Sequence, residues 1–105
     1  MEKAWKQVCA FSLGAMLFVA VQSQAAQEDQ TQEGRQIYEL RCASCHGLEA
    51  EKLVGKPVQY LADRMQDIKR MHDPLLEKMR RMQQALEPLS DDQIENIALY
   101  LHKLQ

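Results

Sequence analysis

The sequence contains no period-2 run of β-branched residues, no internal repeat and no low-complexity linker. Without alternating apolar positions a half-buried sheet has no pattern to form on, so an α/β or all-β architecture is not expected. Cysteine is scarce, with only Cys9, Cys42 and Cys45. That leaves no second cysteine pair to complete a four-ligand structural zinc site and no disulfide framework. Neither sign of charge dominates: 13 Lys and Arg stand against 15 Asp and Glu, a formal net of −2. A balance this even argues against nucleic acid as a partner. The apolar run near the start is shorter than a membrane-spanning helix needs.

That run is nonetheless informative. "MEKAWKQ" is a weakly basic start, "VCAFSLGAMLFVAV" is an apolar core of secretory-signal length, and Ser23, Gln24 and Ala25 supply small residues for cleavage. The expected organisation is a signal peptide over 1–25 and one domain over 26–105, exported to the periplasm. An uncleaved signal acting as a membrane anchor is the alternative. Cleavage after Ala25 removes Cys9 and leaves 80 residues carrying a net charge of −3. A chain of this size is near the limit at which an apolar core alone suffices, so a disulfide, metal or cofactor is expected to help. A Cys42–Cys45 disulfide would close too short a loop to constrain the unfolded chain much.

Four helices are legible. The first runs from about Thr31 into the cysteine pair, after a polar, frayed 26–30, with Ile37, Tyr38 and Leu40 on its apolar side. Gly34 inside it costs about 1 kcal/mol relative to alanine, a cost that close approach of another helix would explain. A loop bracketed by Gly47 and Gly55 leads to a helix opening at Pro57, with Val58, Leu61, Met65 and Ile68 in helical register. Asp73 and Pro74 read as a cap and first-turn proline of a third helix, with Leu75, Met79, Met82 and Leu86 as its stripe and Pro88 as its stop. Ser90 and Gln93 form a capping box for the last helix, Leu89 and Ile94 a hydrophobic staple, and Ile94, Ile97, Ala98, Leu101 and Leu104 its buried face.

The chemistry lies in "CASCHG", residues 42–47. Cys-x-x-Cys-His is the attachment pattern of c-type haem. Two thiols on one tight turn can add to the two vinyl groups on one edge of a porphyrin, and the following imidazole can reach the iron. Cys42 and Cys45 are therefore expected to form thioethers to a single haem c, with His46 as an axial iron ligand. A redox dithiol would expect a βαβ context, which the chain does not offer. Haem also supplies the core that so small a chain lacks.

With these residues in view, the chain resembles the class I cytochromes c, in particular the small bacterial periplasmic monohaem type. Gly34, Tyr38 and Cys42 follow the family's four-residue spacing of glycine, aromatic and first cysteine. "KLVGKPVQYL" is similar to the family's loop-to-helix segment, and "LSDDQIENIALYLHKL" to its last helix, with Tyr100 at the aromatic position. Glu51 stands where the family often has a proline whose carbonyl holds the proximal imidazole, and the loop from His46 to Gly55 is short. The resemblance implies an all-α, cytochrome c-like fold of about four helices around one covalent haem, with first and last helices crossing at the glycine and bringing the two aromatics together. It also implies a methionine on the far side of the iron. Met82 is the expected ligand and Met79 the second choice, with Met71, His72 or an open site as the remaining options.

The function expected on this reading is electron transfer without bond chemistry, the iron cycling between Fe(II) and Fe(III), so that the chain is not itself an enzyme. The alternatives are a haem-based ligand binder or sensor, a small haem subunit of a redox enzyme with an open sixth site, and a helical interaction domain with a labile dithiol. Residues 64–81 hold six basic groups against three acidic ones. Redox proteins with acidic surfaces are the expected partners there, with a membrane touched only in passing through respiratory complexes.

Overall fold

The computed structural model describes residues 25–104; the expected signal segment, with Cys9, lies almost wholly outside them. The described residues form five helices and no strand. These are α1 over residues 25–41, α2 over Ala43–His46, α3 over Val58–Arg70, α4 over Glu77–Leu86 and α5 over Asp91–Lys103. None is long and apolar enough to cross a membrane.

The additional helix is α2, a single turn that continues α1 after a break at Cys42. Helix α1 is also longer than the sequence suggested, because the expected frayed 26–30 is helical. Thr31 sits inside it, its hydroxyl donating to the Gln27 carbonyl at 2.9 Å. Alanine, glutamine and glutamate over 25–28 are good helix formers, which accounts for the extension.

Two termini differ from expectation. Pro57 is the residue before α3 (φ −57°, ψ 140°), one position earlier than expected, and its carbonyl accepts from Leu61 N at 3.1 Å. Asp73 does not cap α4. It takes a left-handed conformation (φ 52°), residues 72–76 form a bend, and Leu76 precedes the helix. Aspartate tolerates that conformation and favours turns as readily as caps. The bend is braced by Arg80, whose Nε donates to the Pro74 carbonyl at 2.8 Å. Leu75 therefore leaves the expected stripe and is 89% exposed, and Leu40 on α1 is likewise exposed at 84%.

The core is built on α5. Ile94, Ile97, Ala98 and Leu101 are buried, together with Tyr38 of α1, Leu61 and Met65 of α3, Leu86 of α4 and Leu89. The capping box that starts α5 is present in both directions: Gln93 N donates to Ser90 Oγ at 3.2 Å, and Ser90 N donates to Gln93 Oε1 at 2.9 Å. Helix α1 crosses α5 at Gly34. A Cβ placed there would lie 1.9 Å from the Asn96 carbonyl oxygen and 2.9 Å from Ile97 N. No side chain fits in that gap, so glycine is what permits the crossing. Buried Asn96 donates from Nδ2 to Glu33 Oε2 across the same junction at 3.1 Å. One turn further on, the rings of Tyr38 and Tyr100 meet with centroids 5.8 Å apart at 46°, a tilted aromatic pair.

A cavity joining the Cys-x-x-Cys-His turn to the α4 methionines

The turn that carries the motif is fixed by its backbone. Cys42 N donates to the Tyr38 carbonyl at 2.8 Å, His46 N to the Cys42 carbonyl at 2.9 Å, and Gly47 N to the Ala43 carbonyl at 2.8 Å. Gly47 then leaves the helix at φ 81°, a conformation open to glycine. Residues three and four apart share a helix face. Cys42, Cys45 and His46 thus point the same way, and all three line one cavity of about 580 Å³. Tyr38 holds the exit of the turn: its hydroxyl donates to the Gly47 carbonyl at 2.7 Å.

The cavity is walled largely by apolar side chains, among them Leu53, Leu61, Met65, Ile68, Ala85, Ile97 and Leu101. Met79 and Met82 of α4 line it as well, brought onto one face by their i, i+3 spacing. Met71 and His72 do not line it; Met71 ends α3 and is exposed, as is His72. Met65, expected as core, is buried in α3 and also borders the cavity. His102 is exposed, and its Nδ1, 2.9 Å from the Lys56 carbonyl, donates to it. Together with Gly55 N donating to the Leu101 carbonyl at 3.1 Å, this ties the 47–56 loop to the end of α5 and closes that side of the cavity.

The two cysteines are free thiols and differ in setting. Cys42 is buried, and that burial pushes its thiol up to about 11, with Arg41 lowering it and Cys45 raising it by smaller amounts. Cys45 is exposed to the cavity. Burial likewise holds the Tyr38 phenol up, at about 12.

The mouth of the cavity carries charge of one sign. Arg41, Lys52, Lys56, Arg64, Lys78 and Arg81 line it, and no carboxylate does, although Arg81 is paired with Glu77 at 3.5 Å. Lys56 Nζ lies 5.2 Å from the Tyr60 ring centroid, a cation–π contact on the same rim. Only three of the six belong to the basic 64–81 segment; Arg41, Lys52 and Lys56 come from the end of α1 and the loop, and only the fold brings them in. A separate groove of about 470 Å³ between α3 and the start of α5 has the opposite character, with Asp63, Asp67, Asp91, Glu95 and Arg70 on its walls and none of the motif's residues.

The residues fit covalent haem. Two free thiols, an imidazole and thioether sulfurs line one cavity whose other walls are largely apolar, and its volume lies in the range of ligand pockets. The cationic rim also suits a porphyrin that carries carboxylates. Among the described residues no cluster of three or more His, Cys, Asp or Glu is placed to hold a bare metal ion.

Comparison with known proteins gives a family. Residues 29–101 match the one described as cytochrome c oxidase, cbb3-type, subunit III, a span that takes in α2 to α4 whole and most of α1 and α5. No curated protein and no solved structure shows a significant match. The all-helical fold, the motif on its cavity and this match agree, and the chain belongs to the cytochrome c family of cbb3-type oxidase subunit III, whose domains carry covalent haem c and transfer electrons.

Proposed function

We propose that the protein is an exported, periplasmic monohaem cytochrome that carries single electrons. Cys42 and Cys45 would hold the haem as thioethers, with His46 on one side of the iron and Met82, or Met79 as second choice, on the other. The observation that carries this reading is the shared cavity, which sets the imidazole of His46 and, from α4, the thioethers of Met79 and Met82 around one apolar space that Met65 also borders. When bound, the haem supplies a one-electron Fe(II)/Fe(III) couple, and methionine ligation places its potential above that of bis-histidine ligation. The chain's own residues anchor the group, exclude water from most of it and leave an edge at the cationic mouth. With both axial positions filled there is no open site for a diatomic ligand or substrate.

The rim argues for the kind of partner. Six cations, one of which, Arg81, is paired with Glu77, steer an acidic redox protein to the mouth, in brief and salt-sensitive encounters. The family's description adds a second reading. The chain would serve as, or deliver electrons to, the cytochrome subunit of a membrane oxidase, and oxygen chemistry would then reside in the partner.

Carbon monoxide distinguishes a carrier from a ligand binder. The reduced, haem-loaded protein is expected to bind CO slowly and to show a six-coordinate low-spin spectrum when oxidised. Rapid CO binding together with a high-spin ferric spectrum would instead establish an open site. The docking face is tested separately by the rate of electron exchange with an acidic redox protein, which must fall as ionic strength rises.

A further inference from the structure

Helix α4 carries both methionines of the cavity, and a side chain beside them fixes it to the rest of the molecule. The amide of Gln83 reaches the end of α3. Its Nε2 donates to the Met71 carbonyl at 2.6 Å and lies 3.3 Å from the carbonyls of both Ile68 and Lys69. An amide nitrogen has two hydrogens, so one makes the short bond and the other is shared between the two longer contacts. The acceptors are last-turn carbonyls of α3 and its cap, where a helix end runs short of backbone donors, although the Ile68 carbonyl also accepts from Met71 N at 3.2 Å.

The tie is answered from the other side. Lys69, in the last turn of α3, donates from Nζ to the Leu89 carbonyl just beyond the end of α4. The two contacts form a clip that ties the last turn of α3 to the second half of α4 and to the link that follows it. Within α4 itself Leu86 is the one buried residue, with Met82 partly buried against the core. Gln83 directly follows Met82 and is four residues after Met79, so the rotation of α4 that satisfies the clip is the rotation that turns both sulfurs into the cavity.

We infer that Gln83 is a positioning residue for the axial methionine. By holding α4 against the end of α3, its amide keeps the sulfur within reach of the iron and sets how often the sixth site opens. The inference rests on the proposed axial role of an α4 methionine, and it holds whether that residue is Met82 or Met79.

The test compares the haem-loaded wild type with Gln83→Ala, Gln83→Glu and Gln83→Lys. Glutamate is nearly isosteric but as a carboxylate cannot donate, whereas lysine restores a donor. Two readouts are taken: the weak red charge-transfer absorption that marks thioether sulfur on ferric iron, and the rate of CO binding to the reduced protein. Far-UV circular dichroism controls for folding. Net loss of one hydrogen bond corresponds to CO binding roughly twofold to tenfold faster in Gln83→Ala. Gln83→Glu is expected to match or exceed it, and Gln83→Lys to return toward wild type. The red band should weaken in the same order at unchanged helicity. If both donor-less variants keep the wild-type band and CO rate, Gln83 has no positioning role. If the wild type itself lacks the band and binds CO rapidly, the axial methionine fails, and this inference with it.

Discussion

Gly34→Ala isolates the helix crossing on which the architecture depends. The added Cβ would sit 1.9 Å from the Asn96 carbonyl oxygen and 2.4 Å from its carbon, where approaches under 3.0 Å are essentially not tolerated. The obstacle is backbone in the middle of α5, so no side-chain rotation relieves it. The helices must separate by at least about 1.1 Å at the crossing. That separation loosens the Tyr38–Tyr100 pair and the Asn96–Glu33 hydrogen bond. Overpacking of this kind costs about 1–3 kcal/mol or more. The weakened aromatic pair adds about 0.5–1.5 kcal/mol. Alanine's better helix propensity returns at most about 1 kcal/mol. The net is a loss of about 2 kcal/mol, which for a domain of this size lowers the melting temperature by roughly 8–16 °C. Thermal unfolding of the haem-loaded protein, followed by circular dichroism, measures it. A melting temperature equal to or above that of wild type would refute the crossing as described.

Other perturbations separate local from global features. Ser90→Ala removes the cap of α5 and should cost about 1 kcal/mol in denaturant unfolding, while Gln93→Ala, which breaks the reciprocal half, should cost less. Tyr38 titrates at about 12 in the folded chain against 10.0 ordinarily, because burial disfavours its phenolate. The folded state thus holds this proton more tightly, so its contribution is intact below pH 10 and is lost as the pH rises toward about 12. Tyr38→Phe should flatten that alkaline loss in a series of melts across pH, at the expense of the hydrogen bond to Gly47. Asp73→Gly should leave stability unchanged or raise it by up to about 1 kcal/mol, since φ 52° costs glycine little; a clear loss would show that the Asp73 side chain contributes to the bend.

Local pattern carried much of this fold. Gly34, Tyr38 and Cys42 are spaced for one helix face, and Ser90 with Gln93 marks a helix start whose two hydrogen bonds are both present. The stripe from Val58 to Ile68 lies against or within the core as its period requires. The errors arose where one residue type serves two structures. Asp73 followed by proline reads as a cap, yet aspartate at positive φ makes a bend, and Leu75 loses its place on the helix. Leu40 has the right period for burial on α1 but lies outside the crossing at Gly34 and is left exposed. Contacts between distant residues leave no local signal at all. Gln83 reaches α3 across 12 to 15 positions, and Lys69 reaches Leu89 across 20. The cationic rim is another such case: the basic 64–81 segment was visible, but Arg41, Lys52 and Lys56 join it only in three dimensions.

The central claim is that covalent haem lies between His46 and a methionine of α4. The ferric absorption spectrum of wild type beside Met82→Ala and Met79→Ala tests it most directly. The account predicts a thioether charge-transfer band in wild type that survives in Met79→Ala and vanishes in Met82→Ala, with the haem still attached through Cys42 and Cys45. Loss in Met79→Ala alone would move the ligand one helical turn within the same cavity. A band absent from wild type, or unchanged in both variants, would contradict the claim.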